Sequence, residues 1–141
     1  MAYDVNNIFA RMVRGEIPCI RVHEDAETLA FMDIMPQADG HTLVIPKVAG
    51  ENIYETAPEA VAAAIRSTQR VARAVQKAFA PPGLIVTQFN GPVAGQTVFH
   101  LHFHIVPVYT AGAWRAHARE KADPAVLEQH AVRIRAALAA G

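Results

Sequence analysis

Val98-Phe99-His100-Leu101-His102-Phe103-His104-Ile105-Val106-Pro107 sets an imidazole at every second position between apolar residues. Successive side chains of a strand point to opposite faces, so the pattern predicts a strand with His100, His102 and His104 on one face. Phe99, Leu101, Phe103 and Ile105 then share the other. One face packs and the other is left for chemistry. At a rise of about 3.3 Å per residue, neighbouring histidines stand roughly 6 to 7 Å apart, close enough for two to reach one phosphate. Imidazole, with an ordinary pKa of about 6.5, serves near neutrality as nucleophile, general acid or metal ligand, and the spacing alone leaves these roles open. Zinc wants three or four ligands, and a structural site usually draws on cysteine. Cys19 is the only cysteine and the strand holds no carboxylate. A strand that merely displays three histidines is the remaining reading.

Upstream, Leu84–Phe89 reads as the strand before this one. The connection Asn90-Gly91-Pro92-Val93-Ala94-Gly95-Gln96 is longer than the two to five residues a hairpin commonly needs. Its glycines let the backbone turn N–H groups toward an anion, and Gln96 and Thr97 add side-chain donors beside the first histidine. Next to three histidines the loop reads as a phosphate cradle. The long helix spans about Pro58 to Ala80, with Val61, Ile65, Thr68, Ala72, Val75 and Phe79 as its apolar stripe. Thr56 and Glu59 have the form of a capping box and Pro58 suits a first turn. Arg66, Arg70, Arg73 and Lys77 face elsewhere and read as a solvated surface.

Nearer the N-terminus, Asn6 or Asn7 caps a short helix through Arg14, with Ile8, Phe9, Met12 and Val13 on its apolar side and Gly15 past its end. Ile20–His23 and Thr28–Met32 form a hairpin about Glu24-Asp25-Ala26-Glu27, and His41–Ile45 is a further strand that stops at Pro46. Beyond Pro107, Asp123 and Pro124 open a last helix with the stripe Leu127, Ala131, Ile134 and Leu138. Trp114 suits a substrate stack, a core edge or a subunit interface, and His117 and His130 read as surface.

With 141 residues, 52% hydrophobic and 18% charged, the chain suits one domain over 1–141, with a core of about 6–108 and a C-terminal extension at 109–141. Thirteen basic residues balance thirteen acidic ones, so no overall field would hold a nucleic acid or an anionic membrane. The ligand must be recognised locally. One cysteine fits a reducing compartment, and with neither a signal peptide nor a spanning apolar run at hand, a cytoplasmic protein is the expectation.

Gly95-Gln96-Thr97-Val98-Phe99-His100-Leu101-His102-Phe103-His104-Ile105-Val106 resembles the signature of the histidine triad (HIT) family, His-φ-His-φ-His-φ-φ with φ apolar. Asn7-Ile8-Phe9, Gly15-Glu16-Ile17-Pro18, Phe31-Met32-Asp33-Ile34, Pro36-Gln37 and Gly40-His41-Thr42-Leu43-Val44-Ile45-Pro46-Lys47 match it in order and spacing. The resemblance implies an α+β fold: a five-stranded antiparallel sheet per subunit with one long helix, a short N-terminal helix and a C-terminal helix. Such members commonly dimerise through helices and sheet edges. It makes His102 the nucleophile that attacks the α-phosphorus of a nucleotide, giving a nucleotidyl-histidine that water hydrolyses. His104 and His41 would hydrogen-bond the phosphate or leaving group, and His100 would orient the nucleophile's ring. Gly95, Gln96 and Thr97 would stabilise charge on the phosphoryl oxygens, Asp33 would bind the ribose hydroxyls, and Ile8, Phe9, Phe31 and Ile34 would line the base cleft.

The departures from the family pattern are specific. Many bacterial relatives carry Cys-x-x-Cys in the first helix and a histidine after Pro-Lys, a structural zinc site. Here those places read Asn7-Ile8-Phe9-Ala10 and, approximately, Ala49, so neither a metal nor a cofactor is expected. Phe89 stands where relatives often have Asn or Gln, with Asn90 as the substitute contact. His104, rather than glutamine, argues against the uridylyltransferase-like branch. The resemblance thus implies a hydrolase of purine nucleoside phosphoramidates; a dinucleoside polyphosphate hydrolase and a nucleotide-binding adaptor are the alternatives, and a metal-binding protein a third.

Overall fold

The computed structural model describes residues 2–112 and 120–141; Trp114 and His117 lie outside them. Five antiparallel strands form one sheet in the order β1 (Arg21–Glu24), β2 (Thr28–Met32), β3 (Thr42–Pro46), β5 (Phe103–Val108), β4 (Gly83–Thr87). The β1–β2 hairpin closes on Asp25, whose carboxylate accepts from the N–H groups of Glu27 and Thr28. Those bonds, opposing the effect of burial, hold its pKa down to about 2.

β2 is buried along its whole length because both faces are covered. On one side Ala30, Met32, Val44 and Ile105 pack against α2 (Pro58–Phe79) and α3 (Pro124–Ala139) through Val71, Ala74, Val75, Leu127, Ala131 and Ile134. On the other, Leu29, Phe31, Leu43 and Ile45 receive Phe9 from α1 (Ile8–Val13). Fully burying a Leu or Ile side chain contributes about 2 kcal/mol, so Leu127 and Ile134 dock α3, a helix of marginal stability alone.

The helix ends follow local chemistry. Asn7 caps α1 by accepting from the Ala10 N–H, and Asp123 caps α3 by accepting from Ala125 ahead of Pro124. Thr56 and Glu59 do not form the expected box. Ala57 is the N-cap of α2 without a side-chain bond, and the Thr56 hydroxyl donates to Asn52 O instead. The buried stripe of α2 is also not the expected one. Ala64, Ser67, Val71 and Ala74 join Thr68 and Val75 inside, while Ile65 is 46% exposed. Small side chains let the helix lie close on the sheet, and the bulkier Ile65 is left on a second apolar face. Arg66, Arg70, Arg73 and Lys77 are exposed as expected. His130 is not a plain surface residue, since its ring meets Phe79 edge-on at 5.1 Å.

The largest correction concerns the histidine strand. β5 starts only at Phe103, so His100 and His102 precede the ladder. Pro46 has no N–H to extend the pairing with β3, and the Leu101 N–H donates to Gly50 O instead. The alternation nevertheless survives: Leu101 and Phe103 pack on Ala64 of α2, and the imidazoles lie on the α1 side beside Phe9.

Candidate active site

A cleft of about 440 Å³ opens on the α1 side of the sheet, within the size range of small-molecule sites. His41, His102, His104, Asp33, Gly95 and Thr97 line it together with apolar Ile8, Phe9, Phe31 and Ile34. These ten residues were expected there. Met12, Met32, Met35, Gln37, Leu43 and Val98 also line it and were not. Met12 and Leu43 read in the sequence as helix and strand core, and only the shape of the fold turns them toward a ligand.

Three expected residues sit behind the wall instead. The Gln96 amide donates to Glu51 O at 2.6 Å and Val98 O at 3.1 Å and accepts from the Gly91 N–H at 2.8 Å, so it braces its loop and offers the cleft no donor. Gly91 and Gly95, at φ of +91° and +104°, supply the left-handed turns on either side of that brace. Asn90 Oδ1 accepts from the Ile53 N–H, and its amide pairs with that of Gln88. It joins two loops rather than replacing a missing substrate contact. Phe89, its neighbour, lies 5.4 Å from His104, ring to ring. The third is His100, buried outside the cleft.

Hydrogen bonds assign the imidazole tautomers. His102 Nδ1 is 2.7 Å from His100 O, and a carbonyl only accepts, so Nδ1 carries the hydrogen. Nε2 keeps its lone pair and has no hydrogen-bond partner among the described residues. Burial pushes the His102 pKa down to about 4, so the ring is neutral at pH 7. His41 Nδ1 accepts from the Gln37 N–H at 3.0 Å, which puts its hydrogen on Nε2, facing His104 Nδ1 at 3.1 Å and Asp33 Oδ2 at 3.4 Å. Burial, and secondarily the proximity of His102, hold His41 at about 4 as well. His104 then accepts at Nδ1 and carries its own hydrogen on Nε2. Its ring centroid is 5.0 Å from that of His102.

Asp33 meets the opposite pressure. Burial raises its pKa to about 6, partly offset by the Met35 N–H that donates to Oδ1. At pH 7 the cleft therefore holds one carboxylate, neutral His41 and His102 and, among the described residues that line it, no lysine or arginine.

Among the described residues, neither of the two candidate metal places fits a cation. Asn7 is engaged as a helix cap, Ala10 is a core methyl and Ala49 is an exposed methyl. Cys19 sits apart, half-buried against the Phe9 cluster. Asp33, His41 and His104 do bring three donor atoms within 4.8 Å of one another. The Gln37 N–H aimed at His41 Nδ1, however, forces the hydrogen onto the very nitrogen a cation would need. The trio is a hydrogen-bond relay.

Comparison with known proteins agrees with this geometry. The HIT domain model matches residues 14–111. The adenosine 5'-monophosphoramidase of Schizosaccharomyces pombe is 41% identical over 100 residues, covering 71% of this chain and 72% of the relative. A HIT-like protein from Bartonella henselae superposes with a TM-score of 0.91 at 48% identity, covering 97% of this chain and 99% of the other. A Zn-bound histidine triad protein from Mycobacterium smegmatis does so with a TM-score of 0.83 at 36% identity, covering 96% and 95%. With the triad, the cleft and the five-stranded sheet in place, the chain belongs to the histidine triad family and is a nucleotide hydrolase of that family.

Proposed function

We propose that the protein hydrolyses purine nucleoside phosphoramidates, such as AMP joined to an amine, through a nucleotidyl intermediate on His102. One observation carries the choice of nucleophile: His102 gives its Nδ1 hydrogen to a backbone carbonyl and leaves a neutral Nε2 lone pair at the cleft. Attack of Nε2 on the α-phosphorus forms a P–N bond to the enzyme as the bond to the amine breaks, the departing nitrogen taking a proton from solvent; water then attacks the same phosphorus, forms a P–O bond, breaks the bond to Nε2 and releases the nucleoside monophosphate. Splitting one displacement into two lowers each barrier. Charge building on the phosphoryl oxygens would meet the His104 Nε2–H and the backbone about Gly95 and Thr97, and stabilising such charge is usually the largest catalytic term. His41 holds His104 in its donor tautomer, Asp33 accepts from the ribose hydroxyls, and Ile8, Phe9, Phe31 and Ile34 enclose the base.

The charge balance of the cleft favours this substrate over a dinucleoside polyphosphate. A nucleoside phosphoramidate brings about one negative charge, whereas a polyphosphate chain brings several. With Asp33 already anionic and no lysine or arginine among the described lining residues, each added phosphate would bring further negative charge beside that carboxylate. Mass spectrometry after a brief acid quench should find AMP on His102. Turnover of adenosine phosphoramidate should exceed that of diadenosine tetraphosphate; a faster tetraphosphate reaction, or no adduct, would refute the assignment.

A homodimer completes the reading. β4 is an edge strand, and Ile65, Ala72, Leu84 and Val86 line an apolar groove beside it. A second copy covering that face would pair two sheet edges, and sedimentation should return a dimer that Val86→Lys dissociates. The single cysteine and the nucleotide substrate are in keeping with a cytoplasmic setting. Among the described residues no helix is long and apolar enough to cross a membrane.

A further inference from the structure

His100 contributes nothing to the wall of the cleft, yet it is 1% exposed and every polar atom of its side chain is engaged. Its Nε2 lies 2.7 Å from Pro46 O, which can only accept, so Nε2 bears the hydrogen. Nδ1 of the neutral ring is then an acceptor, and Tyr3 is its donor, with the hydroxyl oxygen 2.5 Å away. The two rings meet edge-on with centroids 5.8 Å apart, and Phe9 flanks His100 at 6.5 Å. The His100 carbonyl in turn accepts the Nδ1 hydrogen of His102. A chain of directed bonds therefore runs from the N-terminal segment through His100 to the nucleophile.

We propose that Tyr3 is a positioning residue of the active site: its hydroxyl pins the His100 ring, and through it the carbonyl that aims His102 into the cleft. Pro46 O and Tyr3 grip His100 from opposite sides of its ring, so the residue is held at two points. Removing Tyr3 would leave one bond and a buried acceptor without a donor, and the backbone at His100 would be free to rotate. Half-burial raises the Tyr3 pKa, so the hydroxyl keeps its hydrogen throughout the neutral range. Tyr3 does not line the cleft, and its effect should fall on the geometry of attack rather than on nucleotide affinity.

This inference rests on His102 being the nucleophile, and the test separates the two. In the full-length protein, Tyr3→Phe keeps the ring and its edge contact while removing the donor. Turnover of adenosine phosphoramidate should show kcat lower by about fivefold, the range set by one buried hydrogen bond, with KM unchanged. Two-bond ¹H–¹⁵N spectra of the histidines should show the His100 Nδ1 resonance moving and the His102 ring signals broadening. In a His100→Asn background, Tyr3→Phe should cost nothing further, because the effect passes through His100. Wild-type kcat with unchanged histidine spectra would overturn the proposal, as would a loss confined to KM or two fully additive substitutions. If the protein turns over no phosphoramidate at all, the functional assignment has failed, and the spectra of Tyr3→Phe still decide the role of Tyr3.

Discussion

Replacing Asp33 by asparagine should make the folded protein more stable above pH 6 while weakening nucleotide binding. The Asp33 carboxyl titrates at about 6 in the fold against an ordinary 3.8. Below pH 3.8 both folded and unfolded chains hold the proton and the group is neutral to stability. Between pH 3.8 and 6 the unfolded chain ionises first, so stability falls as pH rises. Above 6 the full cost persists, about 3 kcal/mol for a shift of roughly two units. Asparagine removes that cost. Its carbonyl still accepts from the Met35 N–H, and what is lost is the 3.4 Å contact with His41, worth about 1 kcal/mol. The net gain at pH 8 is then about 2 kcal/mol, or roughly 4–8 °C in Tm for a chain of this size. At pH 4 the gain should vanish or reverse. Thermal melts of both proteins at pH 4 and pH 8, with AMP titrations alongside, make the comparison. A Tm difference that does not depend on pH, or an Asp33→Asn protein that is less stable at pH 8, would refute the argument that a buried charge is being held at a cost.

The remaining predictions concern the histidines and the loops that carry them. Because His102 and His41 stay neutral down to about pH 4, kcat at saturating substrate should fall only below about pH 5, as protons take the Nε2 lone pair; a limb at 6.5 in the pH–rate profile would contradict a buried neutral nucleophile. Gly50→Ala should destabilise the fold by about 2–3 kcal/mol in urea titrations, since the new methyl would lie 2.1 Å from Thr56 Oγ1 and 3.0 Å from Thr56 Cα. Activity should fall with it, because Gly50 O receives the Leu101 N–H between two triad histidines. Ala80 ends α2 at φ 45° and ψ 46° directly before Pro81. Ala80→Gly should therefore raise stability by about 0.5 kcal/mol, relief of left-handed strain outweighing the added chain entropy; a decrease by the same titration would count against that strain.

Local chemistry was legible in the sequence; the partners of long-range contacts were not. The caps at Asn7 and Asp123, the hairpin about Asp25 and the five strands follow from short windows in which each residue's preference agrees with its neighbours. The stripe of α2 misled because periodicity weighs large apolar side chains, and this helix buries its small ones. Gln96 and Asn90 announced donors at the right place, but a sequence does not tell which acceptor an amide will meet, and both were taken up between their own loop and the segment at Glu51 and Ile53. Ten of the residues assigned to the site do reach the cleft, because strand alternation and helix spacing decide which way they face. Tyr3 was beyond such reasoning, as its partner lies 97 positions along the chain.

The shortened fifth strand shows why the nucleophile sits where it does. Continued upstream, the register of β3 on β5 would pair Pro46 with Leu101, the Leu101 N–H giving to the Pro46 carbonyl that instead receives the His100 ring. Pro46 has no N–H for the Leu101 carbonyl, the chain lifts off the sheet there with its Leu101 N–H attached to Gly50, and the His100 carbonyl accepts from His102 Nδ1. The two imidazoles ahead of the ladder are thus oriented by backbone that pairing has released, while His104, inside the ladder, is oriented by the side chain of His41. A substitution that restored an N–H at position 46, such as Pro46→Val, would offer β3 a way to extend. The added pair with Leu101 would draw the Leu101 N–H from Gly50 to the carbonyl at position 46, setting the ladder in competition with the His100 ring for that acceptor.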